Sequence, residues 1–87
     1  MKTFALKIST PEGDCFSGNA VKLSVRGTEG DLAIMAGHVP FVTAVVPCTC
    51  KIDLEDESVR LAQIDGGLLT VSKNTAVLLC GSFHWNN

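Results

Sequence analysis

The stretch that decides the fold is residues 27–43, GTEGDLAIMAGHVPFVT. Two glycines three residues apart bracket an acidic turn, and the Gly-His-Val-Pro sequence at 37–40 places a permissive glycine close to a rigid proline. Leu32 and Ile34 are two residues apart, so their side chains point to the same side of a short strand. The stretch therefore predicts two short strands separated by a rigid corner that presents a surface.

Alternation of apolar and polar residues with a period of two continues on both sides of this stretch, and no window keeps helical spacing over the length of a helix. The chain is therefore predicted to be all-β. We expect one domain, residues 1–87, folded as a small β-sandwich or flattened barrel of about 8–10 short strands. The residues expected in its core are Phe4, Leu6, Ile8, Leu23, Val25, Ile34, Ile52, Leu61, Leu69, Val71, Val77 and Leu79.

Three local features are predicted in the second half of the chain. The acidic run at 53–57 is typical of a solvated hairpin tip. A second hairpin is expected over the two-residue loop Lys73-Asn74, in which Asn74 is available for a positive φ. Because the apolar phase slips between Leu61 and Ile64, a β-bulge or a strand bend is expected around Ala62 and Gln63.

The composition narrows the class of partner. Hydrophobic residues make up 46% of the chain and charged residues 18%. This composition is more apolar than a free monomer requires, so several apolar side chains are expected to be covered by a partner. The net charge is −2 and the basic residues are scattered, which argues against nucleic acid and anionic lipid as ligands. The chain has no secretion signal pattern and no apolar stretch of membrane-spanning length, so no direct lipid insertion is expected. Phe83 and Trp85 must either fold back onto the domain or meet a partner.

His38 is the obvious candidate for catalysis, but its sequence neighbours favour other roles. A general base needs a nucleophile or an orienting carboxylate, and the nearest candidates in sequence are Thr43 and Asp31. Two interpretations stay open: a histidine that bridges its own corner, and a histidine that faces a partner.

The cysteines and the glycine pairs also favour structural roles. Without a secretion signal, the four cysteines are expected to remain thiols. Cys48 and Cys50 lie on one strand face without the spacing of a zinc knuckle, so they are interpreted as small apolar fillers. The glycine-containing turns at 27–30 and 66–67 precede no helical pattern, which disfavours phosphate binding. We predict no catalytic residue, no cofactor and no metal.

Four segments, taken in order, resemble one known family. They are 10–14 (TPEGD) with 16–18 (FSG), the 27–43 stretch, 66–71 (GGLLTV) and 76–79 (AVLL). At this spacing they resemble the epsilon subunit of the F-type ATP synthase, called delta in mitochondria, over residues 3–82. The resemblance implies the N-terminal β-sandwich domain of a non-catalytic rotor subunit in the central stalk. Such a subunit couples the gamma subunit to the membrane c-ring during ion-driven ATP synthesis, and is peripheral to the cytoplasmic face of the cell membrane.

The same resemblance implies two sets of partner-facing residues. By motif match, the residues predicted to face the c-ring are Glu29, Gly30, Asp31 and His38. The residues predicted to face gamma are Gly37, Pro40, Phe41, Val42 and Thr43.

One departure from the family pattern changes the expected role. The family continues into a two-helix C-terminal domain, to which inhibition of ATP hydrolysis belongs, whereas this chain ends in FHWNN at 83–87. We therefore expect a subunit that couples without acting as a brake. Two explanations of the short chain compete, a naturally short subunit and a fragment trimmed after the β-domain, and we favour the first. Two alternatives stay open. One is a free-standing β-sandwich module that binds another protein through the 27–43 corner, and the other is a hydrolase or metal-dependent enzyme that uses His38 or the cysteines.

Overall fold

The computed structural model describes residues 2–86, and every regular element in that part of the chain is a β-strand. The strands are β1 (Phe4–Thr10), β2 (Gly13–Ala20), β3 (Lys22–Gly27), β4 (Gly30–Met35), β5 (Phe41–Val45), β6 (Cys48–Asp53), β7 (Val59–Ile64), β8 (Gly67–Val71), β9 (Thr75–Cys80) and β10 (Phe83–Trp85). The predicted all-β sandwich is confirmed. Among these residues, no helix has the length and apolarity needed to cross a membrane.

The strands form two halves that meet at a corner. Sheet I has the order β10-β7-β6-β3-β4, and sheet II has the order β5-β8-β9-β1-β2. One edge of β3 pairs with β4, and its other edge pairs first with β6 and then, at Gly27, with Val45 of β5. Within residues 2–86, this Gly27–Val45 pair is the only ladder pair that joins the two sheets. From that corner the sheets diverge and face each other across the core.

The core draws fully buried aliphatic side chains from both sheets. They include Leu23, Ile34 and Ile52 from sheet I and Leu6, Ile8, Leu69 and Leu78 from sheet II. Burying one such side chain contributes roughly 1.5–3 kcal/mol. The two sheets are therefore held together by side-chain packing far more than by their single shared ladder pair.

The aromatic tail closes the seam opposite that corner. Trp85 of β10 meets Phe16 of β2 edge to face, with 6.4 Å between ring centroids, and packs against Phe83 at 4.7 Å. The guanidinium carbon of Arg60 lies 3.7 Å from the centroid of the Trp85 ring, a cation–π contact. Of the two expected fates of the tail, the structure has the one in which it folds back onto the domain.

The predicted phase of β9 is wrong. Ala76, Leu78 and Cys80 are buried, whereas Val77 is half-buried and Leu79 is 51% exposed. Residues on both faces of this strand are apolar, so its alternation carries no information about phase. The register is set instead by the neighbouring strands, β8 on one side and β1 on the other.

The predicted phase of β7 is also wrong, and so is the predicted bulge. Leu61 is exposed, while Ala62 and Ile64 face the core. The β6–β7 ladder runs without a register shift. A register shift occurs instead in the β1–β2 ladder, between Ile8 and Ser9. Ala62 does point inward, but its side chain is too small to mark the buried face in the sequence.

The two predicted hairpins form, with one difference in backbone geometry. Glu55 and Asp56 are exposed in the β6–β7 tip, which confirms the solvated turn. Glu57 in this tip has a φ of 69° and is the only non-glycine residue of the described chain with a positive φ. Asn74, which the sequence offered for a positive φ, does not adopt one. The β8–β9 loop closes as expected, with Ser72 N–H donating to the carbonyl of Thr75 at 2.8 Å.

Candidate partner-binding surface

The acidic turn, residues 27–31, is a tight hairpin in which Gly30 takes a backbone conformation that favours glycine. Gly30 has a φ of 125°, and a Cβ on Gly27 would lie 2.8 Å from a Leu32 methyl group. The Glu29 side chain is exposed at the tip. Behind it, Arg26 Nε–H donates to Asp31 Oδ1 at 2.9 Å, and this hydrogen bond and charge raise the pKa of Arg26. The turn therefore presents two exposed carboxylates, that of Glu29 at the tip and that of Asp31, which is paired with Arg26.

The corner loop, residues 36–40, is held by contacts of its own. Gly37 has a φ of 80°, and Pro40 restricts the backbone of the residue before it. His38 Nδ1 lies 3.1 Å from the Val39 carbonyl oxygen, and the His38 ring is 5.1 Å from the ring of Phe41 at a tilt of 51°. His38 thus bridges its own corner, as one of the two interpretations expected.

The two groups that the sequence offered as catalytic partners of His38 are engaged elsewhere. Asp31 accepts from Arg26, and the Thr43 hydroxyl donates to the Ala44 carbonyl at 3.3 Å. The ring nitrogen of His38 meets a backbone carbonyl, which orients the ring but supplies no reactive group. This arrangement fits a structural or partner-facing histidine.

A groove of about 410 Å³ lies between the acidic turn and β5. Its walls bring together Glu29, Gly30 and Asp31 from the set predicted to face the c-ring, and Phe41, Val42 and Thr43 from the set predicted to face gamma. His38, Gly37 and Pro40 lie in the adjoining corner loop rather than on these walls. The two predicted sets therefore form one continuous region, and their division between two partners stays a prediction.

Within β5 the residues predicted to face gamma point in different directions. Phe41 and Thr43 face the interior in the ladder with β8, and Phe41 packs against the core. Val42 points outward and is 61% exposed. Val42 is therefore the residue of this strand that a partner on the outer side of sheet II reaches first.

Val42 belongs to an apolar outer face of sheet II, which we call the apolar face. Its members are Val42, Ala44, Leu68, Thr70, Val77 and Leu79. Ala44 pairs with Leu68, which pairs with Leu79, so that apolar side chains are direct cross-strand neighbours. Strands β5, β8 and β9 contain no charged residue. The charged groups of this outer face, Lys7 and Asp14, lie at the β1–β2 margin and pair with each other at 3.8 Å.

Sequence reasoning missed Leu68 and misplaced Val77 and Leu79 in the core. The signal that marks them is charge distribution rather than periodicity. Three strands that lie side by side have no charged side chain, whereas β3, β4, β6 and β7 each have at least one. Since a solvated outer face normally has charges, their absence sets this face apart from the outer face of sheet I.

The cysteines occupy positions that suit packing rather than chemistry. Burial is the main cause that raises the pKa of Cys50 to about 12 and that of Cys80 to about 11, so both thiols are protonated and weakly nucleophilic near neutral pH. Cys15 in β2 and Cys80 in β9 flank β1, and strands two apart are roughly 9–10 Å from each other, beyond the reach of a disulfide. Within residues 2–86, no group of three or more His, Cys, Asp or Glu side chains is placed to hold a metal ion.

Comparisons with known proteins agree with this architecture. The family model described as "ATP synthase, Delta/Epsilon chain, beta-sandwich domain" matches residues 3–86. The chain is 36% identical over 84 residues to the ATP synthase epsilon chain of Clostridium novyi, covering 97% of this chain and 64% of that one. It is also 36% identical over 88 residues to the epsilon chain of Ruminococcus albus, covering 100% of this chain and 65% of the relative. The chain thus spans just under two thirds of the length of these relatives.

Two solved structures share the fold at low sequence identity. A chain in the Euglena gracilis mitochondrial ATP synthase, solved as an OSCP/F1/c-ring assembly, superposes with a TM-score of 0.91 at 16% identity, covering 95% of this chain and 53% of that one. A chain in the central stalk and c-ring of the Tetrahymena thermophila mitochondrial ATP synthase gives 0.77 at 17% identity, covering 94% and 66%. The sandwich described above is therefore a recurrent fold in those assemblies.

Proposed function

The chain belongs to the delta/epsilon family of ATP synthase subunits, whose β-sandwich domain it contains, and from this premise we propose that it is a non-catalytic rotor subunit of an F-type ATP synthase. In this role it joins the gamma subunit to the c-ring, so that ion-driven rotation of the ring is passed to the catalytic head. The proposed location is peripheral, at the cytoplasmic face of the cell membrane, as part of the assembled enzyme.

The observation that supports this proposal most is the apolar face of sheet II. Leu68 is 44% exposed, Leu79 51% and Val42 61%, and they lie on three adjoining strands without charge. Contiguous apolar surface of this kind is typical of a protein interface. We assign gamma to this face, with Val42 joining it to the residues that the sequence analysis predicted to face gamma.

The c-ring is assigned to the acidic turn at the end of the molecule next to that face. Glu29 and Asp31 are exposed carboxylates on a hairpin that glycine holds in one shape. At such a rim, charge complementarity sets register and on-rate more than it sets affinity. The turn is therefore proposed to orient the domain on the ring, while the apolar face supplies most of the binding free energy toward gamma.

Reconstitution tests the proposal. An ATP synthase depleted of its epsilon chain is supplied with this protein in vesicles, and ATP hydrolysis and ATP-driven ion pumping are both measured. We expect the protein to bind in a one-to-one ratio with gamma and to raise the number of ions pumped per ATP hydrolysed. Hydrolysis with no recovery of pumping, by an enzyme that has bound the protein, would contradict a coupling role.

The alternative of a free-standing binding module makes a different forecast in the same experiment. Such a module uses the 27–43 corner for another protein, and the depleted enzyme would not retain it. Gel filtration of the protein with the gamma-containing catalytic head separates the two, because only a stalk subunit comigrates with the head.

A further inference from the structure

The outer edge of β2 is the longest strand edge that the described part of the chain leaves open. The strand order ends at β2 on one side and at β10 on the other, and β4 pairs only with β3. β2 has eight residues, β4 six and β10 three. Because an open edge presents backbone N–H and C=O groups with which another strand can pair, β2 is the strand that is best suited to strand addition.

The pairing of β1 determines which backbone groups of β2 point to the open edge. The N–H of Ala5 donates to the Asn74 carbonyl on the β9 side at 3.0 Å, so the backbone groups of Ala5 point away from β2. In an antiparallel ladder such a residue belongs to a pair without mutual hydrogen bonds, and its partner also directs its backbone groups away from the ladder. Ala5 pairs with Asn19, and Lys7 pairs with Ser17. The N–H and C=O groups of Ser17 and Asn19 therefore point outward, and both residues are exposed.

This part of the edge lacks the features that normally keep strands from pairing. Residues 16–20 contain no charged residue and no proline. The register shift in the β1–β2 ladder affects only the part of β2 that precedes Phe16. Trp85 of the aromatic tail contacts Phe16, and the next three residues, 17–19, remain exposed. The open segment is therefore short, uncharged and accessible.

The open segment is complementary to a second copy of itself. When two β2 strands run antiparallel with Gly18 opposite Gly18 of the other copy, Ser17 faces Asn19 and Asn19 faces Ser17. Each of these pairs exchanges two backbone hydrogen bonds, so every outward group of the segment is used in both copies. Gly18 then lies on the two-fold axis, where opposing Cα atoms come within about 4.5 Å. Glycine has no side chain to obstruct this approach.

Two further properties of the segment favour a second copy as the occupant. In a two-fold contact a charged residue near the axis meets its own copy, and like charges placed opposite each other are destabilising. Residues 16–20 have no charge that would oppose the contact. The register is also restricted, because a shift that placed Ser17 opposite Val21 would need the Val21 N–H, which already donates to the Asp53 carbonyl at 2.8 Å.

We propose that the free chain forms a two-fold symmetric dimer by antiparallel pairing of residues 17–19 of β2, so that sheet II continues from one copy into the other. A closed two-fold contact covers both open edges at once and leaves neither available for further strand addition. The contact uses the edge of sheet II and not the apolar face. The inference therefore goes beyond the proposed function and does not depend on it.

Sedimentation equilibrium over a wide range of protein concentration tests the dimer with the unchanged protein and two variants of Ser17. Ser17→Pro removes an N–H that points outward and takes no part in the β1 ladder. It is expected to raise the dissociation constant of the dimer at least about tenfold, because each copy loses one hydrogen-bond donor. Ser17→Ala, the matched control, keeps the N–H and is expected to dimerise within about twofold of the unchanged protein.

Amide hydrogen exchange followed by NMR locates the contact in the unchanged protein, without any variant. The amide protons of Ser17 and Asn19 are expected to exchange more slowly as the protein concentration rises. The amide proton of Gly18 points into the ladder, where Gly18 pairs with Leu6, and its exchange is expected to be independent of concentration.

Three results would overturn the proposal. The first is a monomer at every concentration. The second is a dimer that Ser17→Pro leaves unchanged and that Leu68→Asp, in the apolar face, disrupts. The third is slower exchange at Ser17 and Asn19 only when the gamma-containing head is added, which would assign the edge to a strand of that partner.

Discussion

The outer faces of the two sheets expose similar apolar side chains but arrange them differently. On sheet I, Leu61 is 41% exposed and lies opposite Lys51, and Val59 is 49% exposed and lies opposite Asp53. On sheet II, Leu68 is 44% exposed and lies between Ala44 and Leu79. Leu61 and Leu68 are thus exposed to a similar extent, but Leu61 has a charged cross-strand neighbour whereas Leu68 has apolar ones on both sides. What distinguishes the proposed gamma interface is the identity of the cross-strand neighbours, since single exposed apolar residues are ordinary.

The largest expected effect comes from placing a charge in the middle of the apolar face. Leu68→Asp is expected to weaken binding to the gamma-containing head by about 2–4 kcal/mol, because a carboxylate would be buried against an apolar partner. The matched change Leu61→Asp alters a residue of similar exposure and lies next to Lys51, so affinity is expected to stay within about 0.5 kcal/mol. Calorimetric titration of both proteins makes the measurement. Equal losses for the two variants would end the distinction between the faces.

A smaller loss is expected at the margin of the apolar face. Val42→Asp is expected to weaken the same complex by about 2 kcal/mol while the fold remains intact, since Val42 points outward from β5. Surface plasmon resonance gives the affinity and circular dichroism checks the fold. A folded Val42→Asp protein with unchanged affinity would confine the interface to β8 and β9.

The acidic turn is expected to contribute less than either apolar site. Each carboxylate lies at a wet rim, where an ion pair contributes roughly 0–1 kcal/mol, so single neutralisation of Glu29 or Asp31 is expected to leave coupling intact. Lysine at both positions adds repulsion if the ring loops are basic. The expected result is reduced ATP-driven pumping with unchanged hydrolysis by the detached head. Normal pumping by the double variant at low salt, where electrostatic effects are largest, would remove the turn from the ring contact.

The smallest expected effect concerns stability and acts as a control for binding. Asp65 Oδ1 accepts from the backbone N–H groups of Ser82 and Gly81, both at 3.0 Å, and these bonds lower the pKa of Asp65. A lowered pKa in the folded state adds stability above the ordinary carboxyl pKa, and this stability is lost as the pH falls below about 4. Thermal scans of the unchanged protein and Asp65→Asn are therefore expected to differ by no more than a few degrees near pH 6 and to converge at acidic pH. Affinity for gamma is expected to be the same for both proteins. A loss of affinity would show that the hydrogen bonds of Asp65 to Gly81 and Ser82 affect the apolar face.

Much of this fold follows from local patterns. Leu23 and Val25 alternate with polar residues, so β3 was predicted with the correct buried face. The hairpin at 53–57 follows equally from its acidic tip. Where one side of a strand is polar and the other apolar, burial follows directly from periodicity.

The wrong predictions of the buried face concern strands whose two faces have similar residues in the sequence. In β9 both faces are apolar, and in β7 the inward Ala62 is smaller than the outward Leu61, so the larger side chain suggested the wrong face. In β9 the misplaced residue Leu79 is also a member of the apolar face. From the sequence alone, an outward apolar residue cannot be told from a core residue, because a partner-binding face and a core are both apolar.

The candidate site could be located along the chain but not oriented. The glycines, His38 and Pro40 indicate that residues 27–43 form a rigid corner that presents a surface. Which side of β5 faces outward depends on its ladder with β8 and on the Gly27–Val45 pair, contacts between distant strands that no local pattern specifies. The apolar face itself is assembled from β5, β8 and β9, and its continuity exists only after these strands pair.

Hydroxyl-radical footprinting of side chains, with and without the gamma-containing head, tests the difference between the two faces most directly. The protein is oxidised alone and in the complex with the gamma-containing head, and the modification rates of Leu68, Leu79, Leu61 and Val59 are compared by mass spectrometry. We predict that Leu68 and Leu79 are protected in the complex while Leu61 and Val59 react as they do in the free protein. Protection of Leu61 and Val59 with Leu68 and Leu79 left reactive would contradict the assignment of sheet II to gamma.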